Sequence, residues 1–583
     1  MKRLIGVICV LSMLICACSL NGEAFEKNSL TRYPVVIVPG YSSSQLYYND
    51  AQGAKKQVWW IGSDIIQAKV FDNIAEIGKG LGMLTAGKAE YIAQTVGENM
   101  VDLFGKLACN DDGTSKYNLK LYYTSAEETC SANLMKKYSD GSFRHEIEIM
   151  AEVAKYTGNK NIFNFNCDFR MSVADCAKKL DTYIQDVLRY TDSNKVNIIA
   201  VSHGGQITAA YLTKYGYKRQ VDNAVLNVPA IGGAGLAYDV FAGDFDFDEE
   251  ELLRYFEYGM MEETDYHWLL KAGQLGFLDD ILNAVQPYVI EFLGNWESVW
   301  DLIPAKYYDA IKEKYLDETK NAALIASSDY MHYKLMPLFS KSLQRCNDKY
   351  GMNVSIIAGT DNAVLTGLKE NSDGIITVAA STGATAAPFG KRFPDGCKAI
   401  NGKNGYISPA KTIDASTAYL PYNTWFVEGL FHGMEYKDPY SASLLIKLLL
   451  TDEIKSVYSD PAYPRLHATT NVSASVFGAF DKSKEGYIGP GDTALKITNL
   501  SKKYPMVIIA VNSGDLNIRF KPKELIVLKP GEQTGIDFTR VLPAAVRKYC
   551  SVTVVFALLG SPTPVNERIL NFTVNNSGTA LAK

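Results

Sequence analysis

The residues with the clearest chemical potential surround Ser202, in the run Val201-Ser202-His203-Gly204-Gly205. An apolar stretch at 195–200 reads as a short buried strand, and 206–213 is a good helix former. A serine on a tight turn between strand and helix is held in a strained conformation with its hydroxyl presented outward, ready to act as a nucleophile. The helix must then pack close behind the turn, so side chains at Gly204 and Gly205 would clash. A serine nucleophile also needs a base, an acid to orient that base, and backbone donors for the oxyanion. The apolar run 34–38 followed by Pro39-Gly40-Tyr41-Ser42 supplies a loop of the required kind. The amides of Tyr41 and His203 are the expected oxyanion donors; neither side chain is needed to donate. Asp373, in Ser372-Asp373-Gly374 beyond a strand-like run at 354–358, is the expected acid. Two histidines follow it, His432 and His467. His432 is favoured as the base because it precedes the apolar helix at 441–450, whereas His467 sits where the first domain ends.

This arrangement matches the nucleophile elbow of the α/β-hydrolases. Further motifs resemble the lecithin:cholesterol acyltransferase and lysosomal phospholipase family. They are the 35–46 segment with its Val38-Pro39-Gly40 loop, Trp59-Trp60, Cys167-Asp168-Phe169-Arg170, Pro229-Ala230-Ile231-Gly232-Gly233 with Gly243-Asp244, and Ser372-Asp373-Gly374-Ile375-Ile376-Thr377-Val378. The resemblance covers about residues 33 to 450. It implies a cap and a lid over an acyl site, and glycerophospholipid or related acyl esters as substrates. Ala200, Phe169 and Ser372 depart from the family pattern, where Gly, Trp and Gly are usual; the Ser202, Asp373, His432 set is unaffected.

Strands and helices alternate from residue 33 to about 450, which predicts a mostly parallel sheet covered on both faces. Ser172-Val173-Ala174-Asp175 resembles a capping box, and Ala177, Leu180, Ile184, Val187 and Leu188 follow at helical spacing. The hydrolase domain is expected over 30–467, with insertions at about 59–150 and 244–345. The first insertion carries Ile92, Val96, Met100, Leu103 and Leu107 at helical spacing. The second carries a stripe of Ile281, Leu282, Val285, Val289, Phe292 and Leu293, with Pro287 expected to kink or start a helix. From 468 to 583 short β-type runs separated by turn signals predict a small β-sandwich with no cluster of catalytic residue types.

A hydrophobic content of 47% fits a packed globular chain of 583 residues. Net charge is −5, without a basic stripe, which argues against nucleic acid as a partner. The N-terminus carries a basic start and an apolar run from Leu4 to Ile15, too short to span a bilayer. Ile15-Cys16-Ala17-Cys18 resembles a bacterial lipobox, with residues 1–17 as a cleaved signal and Cys18 as the lipidated residue. The chain is therefore expected in the bacterial envelope, anchored to a membrane surface through acyl chains. Seven cysteines follow Cys18, and Cys109 with Cys130, flanking a polar loop, are the expected pair. No His/Cys cluster has metal spacing, so no metal and no cofactor are expected.

The reading is a serine esterase acting on lipid carboxyl esters, passing the acyl group to water or an alcohol. Two alternatives stand beside it: a catalytically inactive surface lipoprotein that binds through the same fold, and a peptidase on the same scaffold.

Overall fold

The computed structural model of the chain describes residues 33–59, 104–137, 144–243, 278–468 apart from short breaks, and the strands between 487 and 575. Cys18, Trp60 and the Ile92 to Leu103 part of the first insertion's stripe lie outside the described residues. At the centre is a seven-stranded sheet: β1 (Val35–Val38), β2 (Ile162–Asn164), β3 (Val196–Val201), β4 (Val221–Asn227), β5 (Asn353–Thr360), β6 (Thr424–Glu428) and β7 (Leu466–Ala468). Their order across the sheet is β7-β6-β5-β4-β3-β1-β2, and every pairing is parallel.

The continuous apolar runs are explained by burial on both faces. Val36, Val38, Ala200, Leu226 and Ile356 face one layer, built by α2 (Val173–Thr191), α3 (His203–Tyr215) and α5 (Phe339–Lys349). Val35, Ile37, Ile199, Val225 and Ile357 face the other, covered by α1 (Arg144–Thr157) and α6 (Pro439–Leu450). Each such valine or isoleucine, fully withdrawn from water, contributes about 1.5–3 kcal/mol. This is the α/β-hydrolase fold, with added segments on its carboxyl side.

The helix expected from Ser172 begins there, but its cap differs from the reciprocal box. Ser172 Oγ accepts the Asp175 amide at 3.2 Å, while the Ser172 amide donates to Glu297 Oε2 at 3.1 Å. A carboxylate from the second insertion takes the place that Asp175 would have filled. Three short strands, Leu46–Asn49, Lys55–Trp59 and Lys120–Leu121, form a small antiparallel sheet after β1. In the second insertion the helix Leu278–Leu293 runs through Pro287. Phe292 and Leu293 of the expected stripe, with Ile290, pack with Trp296, Trp300 and Phe169, while the side chains of Ile281, Leu282 and Val285 lie outside the described residues. The short helix α4 (Glu297–Leu302) follows and is buried.

Among the described residues of the C-terminal segment the regular elements are strands. Its described strands form a six-stranded, largely antiparallel sheet and a separate antiparallel pair, Ala494–Thr498 with Gln533–Asp537. No helix among the described residues is long and apolar enough to cross a membrane.

The cysteines correct one expectation. Cys109 and Cys130 are both thiols and lie in different places. The Cys109 thiol sits beside the Leu107 carbonyl and the Arg170 guanidinium, whereas Cys130 faces the carbonyls of Asn159 and Lys160. The Cys176 thiol, at the start of α2, donates to the Asp168 carbonyl at 3.8 Å, and Cys167 is its neighbour. Proximity along a polar loop says little about pairing when the two ends enter separate cores.

Candidate functional site

β1 lies between β2 and β3, so the chain leaves β1 toward one flank and leaves β3 toward the other. In open α/β sheets this switch leaves a crevice at the carboxyl edge where ligands are bound. The two loops that border it are Pro39-Gly40-Tyr41-Ser42 and the turn at Ser202.

Ser202 has φ +54° and ψ −121°, a region that costs a non-glycine residue about 1–3 kcal/mol. Its backbone is held there from both sides. The Ser202 amide donates to the Asn227 carbonyl at 3.2 Å, and its carbonyl accepts from Gly205 and Ala230, both at 2.9 Å. The side chain remains half-exposed. The expected crowding behind it is real: a Cβ on Gly204 would stand 2.1 Å from the Val38 carbonyl oxygen, and one on Gly205 2.3 Å from Pro229 Cβ. Ala200 needs no such room, since its methyl is absorbed in the sheet core. A Cβ on Gly40 would lie 3.5 Å from Ser202 Cβ and 4.0 Å from Oγ, so the loop after β1 passes directly beside the hydroxyl.

His203 is the first residue of α3, which leaves its amide among the donors that a helix cannot satisfy internally. Burial pushes its imidazole down to about 4, so the ring is neutral near pH 7 and carries no charge beside the turn. The rings of Tyr41 and His203 meet edge to face at 5.2 Å, and Tyr41 meets Phe169 likewise at 5.7 Å. The two side chains thus hold each other's backbone, a role that the sequence did not suggest.

Asp373 and His432 come together from opposite sides of a long connection. His432 Nδ1 is 2.9 Å from Asp373 Oδ2, and the His432 amide donates to the Asp373 carbonyl at 2.8 Å. Asp373 Oδ1 accepts the amides of Ile375 and Ile376 at 3.0 and 2.7 Å. Ser372 donates from Oγ to the Asn362 carbonyl at 2.8 Å and accepts the Gly374 amide at 2.9 Å, so its hydroxyl stitches the acid loop. Gly374, at φ +101°, has no room for a Cβ, which would strike the Phe431 ring at 2.3 Å. Burial disfavours the His432 imidazolium, but the Asp373 carboxylate, its hydrogen bond and the charge of Glu435 outweigh this and raise the pKa. Glu435 is buried and accepts the Gly433 amide at 2.7 Å. Nothing in the sequence around it, which also carries Glu428 and Asp438, singles it out.

His467 lies on β7, opposite Val427, and its ring stacks on Tyr440 at 3.6 Å and 10°. Asp168 and Arg170 form a bidentate pair at 2.7 and 2.9 Å, and the guanidinium also donates to the Leu107 carbonyl and to Ser115 Oγ. They fasten the segment around Leu107. No group of His, Cys, Asp and Glu among the described residues could hold a metal ion.

No family model matches the sequence, and no curated protein matches it. Among solved structures, the Bacillus licheniformis lipase BlEst2 in mature form is similar at 14% identity, over 40% of this chain and 70% of that one, with a TM-score of 0.21. A lipase-esterase related protein from Clostridium acetobutylicum matches at 14% identity, 38% and 71% coverage and a TM-score of 0.17. A meta-cleavage product hydrolase from Pseudomonas fluorescens matches at 13% identity, 41% and 71% coverage and a TM-score of 0.18. Likeness at this level adds nothing to the chain's own geometry, and the α/β-hydrolase fold rests on the sheet order, its parallel pairings and the elbow at Ser202.

Proposed function

We propose that the chain is a serine acylhydrolase that cleaves lipid carboxyl esters through Ser202, His432 and Asp373. The observation that supports this best is the Asp373–His432 hydrogen bond at the same sheet edge as the strained Ser202 turn. In this reading His432 takes the Ser202 proton as Oγ attacks the ester carbonyl, and Asp373 stabilises the imidazolium. The amides of Tyr41 and His203 receive the oxyanion. His432 returns the proton to the departing alcohol, and the acyl-enzyme passes its acyl group to water, or to an alcohol that displaces water. The aromatic cluster of Tyr41, Phe169, Trp59, Phe292 and Trp296 beside the oxyanion loop favours an apolar acyl substituent over a peptide. Substrates of the phospholipid type follow from the resemblance in the sequence motifs. Anchoring through a lipidated Cys18 would keep the enzyme at a membrane surface where such esters are found.

The test is Ser202→Ala. Fluorophosphonate labelling and ester turnover should be lost, turnover by at least ~10³-fold, with the fold retained. Labelling that persists in this variant removes Ser202 as the nucleophile; a wild-type chain that neither labels nor turns over esters is the inactive binding protein instead. Turnover of peptide amides in preference to esters would identify the peptidase. Cys18→Ser should move the protein from the membrane fraction to the soluble fraction, and an unmodified mature N-terminus by mass spectrometry would refute the anchor.

A further inference from the structure

The short helix α4 is part of the second insertion, yet its polar groups are spent on the elements that frame the crevice. Ser298 and Asp301 in it are fully buried. Asp301 Oδ2 accepts the Val173 amide at 2.7 Å, and Glu297 accepts that of Ser172, so two carboxylates close the N-terminus of α2. The Asp301 carbonyl accepts from Gln206 Nε2 of the elbow helix at 2.9 Å. The Leu302 carbonyl accepts the Ala234 amide at 2.7 Å, beside Gly233, where a Cβ would stand only 2.4 Å from the same oxygen. The fifth contact reaches the oxyanion loop: Ser298 Oγ and Tyr41 OH are 2.9 Å apart. Burial keeps the Tyr41 phenol protonated far beyond neutral pH, so the contact is a neutral hydroxyl pair at every working pH.

The loop that Tyr41 belongs to carries strain of its own. Ser42 has φ +62°, and its carbonyl is held by Trp59 Nε1 at 2.5 Å. Ser298 holds the other side, at the tip of the Tyr41 side chain. We propose that Ser298 and Tyr41 form a positioning pair through which the insertion fixes the Tyr41 amide for the oxyanion; the inference rests on Ser202 being the nucleophile. The insertion then has a part in turnover itself.

Oxyanion donors act only when pre-aimed, and losing one costs about 10²–10³ in kcat. Loosening the loop without deleting the donor should cost less, about 10–100-fold. Tyr41→Phe and Ser298→Val should each lower kcat for a small soluble ester by that factor, with KM within about threefold. The double variant should be no worse than the poorer single, because both remove one contact. Ser298→Thr has the shape of Ser298→Val but keeps a hydroxyl, and should recover most of the lost kcat at equal thermal stability. Affinity for a trifluoromethyl ketone, which forms the tetrahedral adduct, should fall in step with kcat, while affinity for the product acid should not. Wild-type kcat in Tyr41→Phe, additive losses in the double variant, or equal kcat for the Thr and Val variants would each overturn the proposal. Failure of the wild-type chain to label with fluorophosphonate would instead remove the nucleophile on which it rests, and the two failures are therefore distinct.

Discussion

Gly204→Ala tests how tightly the Ser202 turn is wedged against the sheet. The new methyl would meet the Val38 carbonyl oxygen at 2.1 Å, the Val38 carbonyl carbon at 2.8 Å and the Pro39 carbonyl oxygen at 2.6 Å. Ordinary contact lies near 3.5 Å, so the two backbones must part by about 1 Å. No flexible side chain can absorb this, since all three obstacles are main-chain atoms at the end of β1. Either α3 retreats, taking Ser202 and the His203 amide with it, or the loop before Tyr41 moves. Overpacking of this kind costs about 1–3 kcal/mol, and displacing reacting groups by 1 Å costs on the order of 10²-fold in rate. Stability would be read from urea unfolding and acylation from the burst phase with a nitrophenyl butyrate. Gly40→Ala supplies the comparison for stability, because its methyl would find Ser202 Cβ at 3.5 Å and should shift unfolding by no more than about 0.5 kcal/mol. A Gly204→Ala protein with wild-type stability and a wild-type burst would refute the wedge, and with it the claim that β1 and α3 together aim the site.

Four further outcomes are expected. His432→Ala should cripple ester turnover, whereas His467→Ala should leave it within about threefold, since the His467 ring stacks on Tyr440 while His432 holds Asp373; the reverse pattern would exchange their roles. Turnover should rise with pH through a midpoint above the usual histidine value of 6.5, because His432 must lose its proton to act as base and its pKa is raised. Asp373→Asn should move that midpoint down as well as slow the reaction. The same raised pKa makes the charged pair a source of stability that is complete below the unfolded value and lost as pH rises through the folded one, so denaturant titrations of wild type and Asp373→Asn should converge above that window. A chain ending near Thr469 retains β7 and all the proposed catalytic residues and should keep turnover of a small ester; a soluble, folded truncation without it would show that the C-terminal segment completes the site.

What could be read from the sequence was what neighbouring residues decide among themselves. The runs at 34–38, 195–200 and 354–358 are strands because stretches rich in β-branched and aliphatic residues can be buried on both faces, and they occupy three positions of the central sheet. The Ser202 turn was legible because its steric requirements fall on adjacent residues, Gly204 and Gly205. Asp373 could be nominated from its loop and His432 from the helix that follows it, but their 2.9 Å contact joins residues 59 apart. Ser172 announced a helix start, yet the partner for its amide is Glu297, 125 residues away, and not Asp175. The Tyr41–Ser298 contact spans 257 residues. The mistaken Cys109–Cys130 pair fails for the same reason. Spacing along a chain restricts local backbone geometry, while the choice among distant partners is made by which surfaces the packed sheet and its insertions bring together, and only tertiary structure sets that.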